Sequence, residues 1–498
     1  MLSFLRAIAT TGGASAISLL LGLATNKIVA ITLGPAGVGL LASYRQLQEV
    51  VTGLGTLGGA AGLVQGLSST EGDARRRRLV AAVWVTMTGI VVFALLLLIG
   101  APALAEHFFR DTAPEIVFAI RCMVVTAAVS ILGFLFSGLV NVSGALVWLA
   151  LANIAASLAG LALAWPLATM AHDGAQLAFL GLILAPVATQ LVVSAYFARR
   201  LGWWPQIATA FRDAPRRDDV AHFLKFFAAN VGAGLLNSAS FMALRALIIE
   251  TDGQGANGLF QAAWILTSQN LAVLMASFGT YLLPSLSAAG DTGSRRRFLD
   301  DALSVVSVLA APLIGIGLLF MPLILRVLYS SAFLDAMAPL RWMLVGNLFS
   351  AYVTVLVILL MARARLLPVA VSEALWYGGM LATGAAVFTG YIDPARFGVG
   401  RLEALGVAFL VLHVARLAFL LYWSRRSLDY WPGAVVWRVA AASLLVVAAA
   451  AWIGWSAREV DWLVSVPAAL VVCATPLLLL DAPRRAALRR LVRERLGR

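Results

Sequence analysis

The chain has 498 residues, 61% of them hydrophobic and 12% charged, with a mean hydropathy of +0.91. A soluble domain carries about 25% charged residues, so this composition excludes a sizeable soluble domain. The net charge of +13 is divided among short arginine clusters between apolar runs; it reads as membrane topology, not as a nucleic-acid surface.

Apolar runs of about 20 residues, the length of a bilayer span, recur along the chain. Fourteen are predicted, centred near residues 21, 52, 90, 128, 156, 186, 236, 271, 311, 349, 379, 413, 446 and 471. The first is read as a retained span, because Arg6 is its lone basic flank and no small-residue cleavage site follows. Spans four and five are separated only by Asn141–Gly144. Cys122 and Cys473 both fall in apolar runs and are read as small buried hydrophobes rather than a disulfide.

The loops orient these spans. With the N-terminus cytoplasmic, the basic runs 75–78, 199–217, 295–297, 363–365 and 425–426 and the tail from Arg484 all fall on one side. That side holds 24 of the 37 Lys and Arg residues, the opposite side 6. Such a bias is the positive-inside pattern with both termini cytoplasmic. Trp203 and Trp204 in the linker, and the tail stripe Leu488, Val492 and Leu496, read as interfacial segments.

The chain also repeats itself. GPAGVGLL begins at Gly34 and GQGANGLF begins 219 residues later at Gly253, aligning Gly39 with Gly258 and Leu40 with Leu259. The expected architecture is an all-α polytopic membrane protein of about 14 transmembrane helices. An N-terminal six-helix bundle (1–198) is followed by a cytoplasmic linker (199–221) and a C-terminal six-helix bundle (222–425). Two accessory helices and a basic tail (426–498) complete it. An even number of spans per half gives parallel repeats, a plan used by transporters that rock about a central site.

Several ionisable residues lie inside the spans, where charge is expensive and marks function. Arg45 falls about 12 to 15 Å below the outer turn at 1.5 Å per residue, and shares a helical face with Gln48, Glu49, Thr52 and Thr56. Such a stripe must face another helix or a wet cavity. Lys27 sits at comparable depth on span one, turned away from the small-residue stripe Thr11, Ser15, Ser18 and Gly22. In span seven, Asn230, Gly234, Asn237, Phe241 and Arg245 share a face, and Arg121 approaches the same level on span four.

Arg121 and Arg245 are also near enough to the outer surface to snorkel. Lys225, Arg416 and Arg438 read as snorkelling toward the cytoplasmic side. Glu49 is either the i,i+4 partner of Arg45 or a proton carrier; Glu373 is either an ion-coupling carboxylate or, the favoured reading, a satisfied core partner. The deep charges are mostly cationic, so the expected passenger is an anion, and guanidinium suits phosphate. The expected binding set is Arg45, Lys27, Arg245, Arg121, Glu49, Gln48 and Asn237, with Glu49 and Glu373 as possible ion-coupling groups. No cofactor, metal or catalytic residue is expected.

The first hairpin, LGPAGVGLL followed by YRQLQEVVTGLGTLGGAAGLVQG, resembles the Wzx-type O-antigen translocases of the multidrug/oligosaccharidyl-lipid/polysaccharide exporter superfamily. The resemblance is sharpest over residues 1–70 and looser to about residue 425. It implies a flippase in the bacterial inner membrane that moves an undecaprenyl-pyrophosphate-linked oligosaccharide from the cytoplasmic to the periplasmic leaflet by alternating access. Lys27, Arg45, Arg121 and Arg245 are the positions that could hold the pyrophosphate or acidic sugars. The implied partners are that lipid-linked glycan, membrane lipid, a polysaccharide polymerase and chain-length proteins, with no nucleic acid. The alternatives are a multidrug cation antiporter of the same superfamily, which should offer deep acidic residues, or a membrane O-antigen polymerase or ligase. The short outer loops and the scattered His107, His172, His222 and His413 speak against the enzyme.

Overall fold

The computed structural model describes residues 2–56, 59–288, 292–363, 365–455 and 459–478. Every regular element among them is helical, as expected for a chain that must satisfy its backbone hydrogen bonds within each apolar segment. In chain order the α-helices are α1 Leu2–Gly55, α2 Gly59–Ser68, α3 Gly72–Leu104, α4 Pro114–Val142, α5 Leu146–His172, α6 Gln176–Arg200, α7 Trp203–Ala210 and α8 Arg217–Ala288. They continue with α9 Thr292–Leu319, α10 Met321–Leu328, α11 Met337–Ala362, α12 Leu366–Phe388, α13 Arg401–Leu428, α14 Ala434–Ile453 and α15 Trp462–Leu478.

Each of the fourteen expected span centres falls within one of these helices. By length and apolarity, nine stretches among the described residues are able to cross a membrane. The tail stripe Leu488, Val492 and Leu496, and the side chains of Thr11, Ser15 and Asn230, lie outside the described residues.

Two helices are bent at equivalent points of the repeat. Gly34 interrupts α1 with φ 63° and ψ −173°, and Gly253 interrupts α8 with φ 79° and ψ 177°. This backbone region is closed to residues bearing a Cβ. Pro35 then starts the second limb of α1, where its fixed φ fits a first helical turn and its missing N–H leaves no bond unmade. The second limb stops at Gly55 and the chain resumes as α2, so the polar face expected to run on to Thr56 ends there in a turn. Asn141–Gly144 does separate two helices, with Gly144 at φ 70° in the turn.

The chain forms two compact units: Met1–Gly258 with Leu328–Ser330, and Leu259–Val327 with Ser331–Arg498. In the first, α1 packs against α5, and α4 against α3 and α6. Its basic run 75–78 does more than set topology. Arg76 pairs with Asp213 and Arg78 with Asp219, both at 2.8 Å, tying the start of α3 to the segment after α7 and to the start of α8. Trp203 is buried, donates to Ser143 Oγ at 2.9 Å and lies 5.0 Å beneath the Arg75 guanidinium. Of the two tryptophans expected at the interface, only Trp204 is exposed.

At the opposite end of α3, a π-helical turn, Ala105–Phe109, leads into Arg110 in the left-handed conformation, paired with Glu250 at 2.8 Å. In the second unit, α11 packs on α13 and α9, α12 on α13, and α14 and α15 on α9.

Candidate functional site

The first unit gathers three of the predicted cations. Arg245, on the first limb of α8, is 4% exposed. Its Nη1 donates to Asn257 Oδ1 at 2.8 Å. Asn257, fully buried, donates in turn through Nδ2 to the Gly39 carbonyl at 2.8 Å and to Ser43 Oγ at 3.1 Å. A guanidinium in a span must be hydrogen-bonded, and here the bend of α8 supplies the acceptor. Arg245 does not snorkel.

The two repeat copies meet at this point. A Cβ on Gly39 would stand 2.1 Å from the Gln254 carbonyl oxygen and 2.9 Å from the Gly258 nitrogen. A Cβ on Gly258 would stand 1.9 Å from the Pro35 carbonyl oxygen. The glycines of GPAGVGLL and GQGANGLF are thus a backbone contact surface, the way small residues let membrane helices approach.

Arg45 is half-buried on the second limb of α1 and makes no hydrogen bond or close ion pair among the described residues. The groups that face it are the Glu49 carboxylate and the neutral Tyr329 phenol. Lys27 donates to the carbonyl of the same Tyr329. Glu49 is exposed and interacts electrostatically with both Arg245 and Arg45. It is therefore shared between two arginines and is not a private partner of Arg45. The result is two guanidiniums that share one carboxylate, with the Lys27 ammonium joined to them through Tyr329.

The other predicted residues are placed differently. Gln48 is buried and fully engaged with α4. It donates to the Thr126 carbonyl at 3.0 Å and to Ser130 Oγ at 2.7 Å, and accepts from Thr126 Oγ1 at 2.6 Å. Its face of the polar stripe meets a helix; that of Glu49 does not. Asn237 is half-buried and Arg121 exposed, neither with a hydrogen bond among the described residues.

In the second unit, Glu373 is held by Arg416, whose Nε also donates to Ser372 Oγ at 3.4 Å. Arg416 is 8% exposed. The expectation that it snorkels toward the cytoplasm is overturned, because Glu373 and Ser372 compensate its charge in place. Lys225 and Arg438 are exposed, as snorkelling requires. Among the described residues no cluster of three His, Cys, Asp or Glu could hold a metal ion.

Asn257 and Tyr329 escaped the sequence reading. The signal for Asn257 was available, since it replaces Val38 of the first copy. Tyr329 joins the first unit across roughly 300 residues of chain, and no local pattern marks it.

A bent first helix, internal repeats meeting at glycines and a cationic patch within apolar helices define a class: a multi-pass membrane transporter. The structure aligns with the lipid II flippase MurJ in an inward closed conformation at a TM-score of 0.68 and 14% identity, covering 99% of this chain and 100% of that one. It aligns with an inward-facing multidrug-resistance MATE transporter of the MOP superfamily at 0.67 and 13%, covering 83% and 94%. In sequence, the lipid III flippase of Escherichia coli (strain K12) is 24% identical over 435 residues, 86% of this chain and all of that protein. The family model described as polysaccharide biosynthesis protein matches residues 28–338. The chain belongs to that family, on the fold of the MOP superfamily.

Proposed function

We propose that this protein is a flippase carrying an undecaprenyl-pyrophosphate-linked oligosaccharide, the repeat unit of an O-antigen or exopolysaccharide, from the cytoplasmic to the periplasmic leaflet of the bacterial inner membrane. The observation that carries this reading is the pair of Arg45 and Arg245 about the carboxylate of Glu49, with Lys27 bonded to the backbone of Tyr329, the residue whose phenol faces Arg45. Family membership and the lipid III and lipid II flippases among the relatives support the same passenger class. Guanidinium offers paired donors to phosphate, and a patch with surplus positive charge selects a diphosphate over a cation.

Arg45 is the residue that reaches the passenger, since its donors are uncommitted among the described residues. Lys27 and Arg245 contribute mainly field, each already bonded to backbone or to Asn257. Both termini lie in the cytoplasm, and a polymerase and chain-length proteins act on the delivered glycan. With the cytoplasm negative, outward movement of an anion gains about 2.3 kcal/mol per charge per 100 mV, so transport needs no coupling ion. The antiporter reading wants deep carboxylates open to cations; here Glu373 is held by Arg416 and Glu49 lies in the field of two arginines.

The test is complementation of a glycan-export defect by Arg45→Ala, with membrane abundance measured alongside. The expected result is normal abundance with export abolished, and partial rescue by Arg45→Lys. Full export by the alanine variant would sink the cationic-site reading.

A further inference from the structure

The second unit contains a cavity of about 270 Å³, lined by Trp264, Thr267, Asn347, Trp376, Phe409 and His413 among others, with Arg416 at its wall. That is many times the roughly 10–15 Å³ that one water requires. Three aromatic side chains and the imidazole form a fixed box. The rings of Trp376 and Phe409 stand 5.0 Å apart at 90°, and His413 lies 4.1 Å from Trp376 and 4.3 Å from Phe409. Gly346 makes room for this box, since a Cβ there would come within 2.6 Å of the Phe409 ring.

The polar groups are arranged as a ligand-facing set. Several helical threonines return their hydroxyls to the carbonyl four residues back, as Thr25, Thr32, Thr86 and Thr189 do. Thr267 does not: it is 2% exposed, lines the cavity, and its Oγ1 has no hydrogen-bond partner among the described residues. An unmade hydrogen bond at a buried hydroxyl is costly, and an occupant of the cavity would make it. His413 donates through Nδ1 to the Phe409 carbonyl at 2.9 Å, which leaves Nε2 as an acceptor. Asn347 is pinned by Nδ2 to the Thr267 carbonyl at 2.7 Å, leaving its amide oxygen as another.

The repeat adds a second argument. Trp264, Thr267 and Ser268 stand 219 residues after Arg45, Gln48 and Glu49. The helix tie is repeated as well: Gln48 donates to a carbonyl of α4, and Asn347 of α11 donates to the Thr267 carbonyl. On this shared framework the charged face of the first copy is replaced in the second by an indole and two hydroxyls. The second copy is built for a different part of the ligand.

We propose that this cavity is a saccharide subsite that stacks a pyranose ring on its aromatic wall and hydrogen-bonds the ring hydroxyls through Thr267, His413 and Asn347. A pyranose has an apolar C–H face and a polar rim, matching an apolar pocket with a few convergent polar groups. A lipid tail would leave those groups unpaired. Because Arg416 is neutralised by Glu373, the subsite takes neutral sugars, since an acidic one would bring an unpaired charge. The proposal rests on the flippase reading for its physiological ligand but not for its test.

Full-length protein in lipid nanodiscs should be probed by saturation-transfer difference NMR with free N-acetylglucosamine. Wild type is expected to transfer saturation to ring protons, with at least a several-fold loss in Thr267→Val and in Ser268→Leu, which fills the cavity edge. The Arg45→Ala variant should retain the signal. Absence of transfer in folded wild type, or transfer unchanged in both cavity variants, overturns the proposal. So does displacement of the sugar by tetraphenylphosphonium alone, the outcome for a drug pocket. Loss of export in Arg45→Ala with no sugar signal in wild type defeats the subsite alone. Sugar binding with normal export by that variant defeats only the cationic site.

Discussion

Gly39 and Gly258 touch backbone to backbone, with no room at either for a side chain: a Cβ on Gly258 would stand 3.1 Å from the Gly39 nitrogen and 1.9 Å from the Pro35 carbonyl. This contact places the bend at Gly253 beside the bend at Gly34, and brings Asn257 within reach of the Gly39 carbonyl. The repeat therefore has a mechanical consequence, since either helix can move here only as far as the other's backbone allows.

Substituting alanine for Gly39 or Gly258 must push the two helices apart, because the obstacles are carbonyls and not flexible side chains. Overpacking of this kind costs about 1–3 kcal/mol. Both variants are expected to melt lower in a detergent thermal-shift assay and to export poorly. Gly53→Ala, which meets nothing within 4 Å, serves as the control and should be as stable as wild type or slightly more so.

Asn257→Leu removes the acceptor of Arg245 Nη1 and the donors to Gly39 and Ser43 together. Hydrogen bonds to a charged group contribute about 1.5–3 kcal/mol, so a comparable loss of stability is expected. Asn257→Asp keeps the acceptor but loses the donor to the Gly39 carbonyl, and should fall between Leu and wild type in the same assay.

Gln48 and Arg45 lie three residues apart but should behave in opposite ways. Gln48→Leu strands Ser130 and the Thr126 carbonyl at the junction of α1 and α4, costing about 1–3 kcal/mol. Its export should fall only in proportion to protein lost from the membrane. Arg45→Ala should leave abundance and melting temperature near wild type while abolishing export.

Breaking the buried pair by Arg416→Ala leaves the Glu373 carboxylate uncompensated, at a cost of about 3–5 kcal/mol. The double variant Glu373→Leu with Arg416→Met should recover most of the loss. If Glu373 is a core partner, Glu373→Gln leaves the sodium and proton dependence of export unchanged. A shifted ion dependence would identify it as a coupling group.

Much of this was legible from residue order. Apolar run length and arginine bias depend on local composition, so helix positions followed directly, and the repeated glycine motif marked both bends. Arg45 and Glu49 were legible because a charge among apolar residues is conspicuous. Side-chain partners were not. Arg416 looks like a snorkelling residue until α12 brings Glu373 to it, and Gln48 looks like a ligand until α4 supplies Thr126 and Ser130. Tyr329 and the Trp376–Phe409–His413 box depend on contacts between distant segments, which no periodicity encodes.

The central claim, that Arg45 engages a lipid-linked diphosphate during its passage, is tested most directly by purified protein in proteoliposomes with a fluorescent undecaprenyl-pyrophosphate-linked glycan. Leaflet exchange is read by a membrane-impermeant quencher. Wild type should accelerate exchange well above protein-free vesicles, Arg45→Lys should retain part of that rate, and Arg45→Ala should fall to the protein-free rate. Exchange by Arg45→Ala equal to that of wild type would contradict the account.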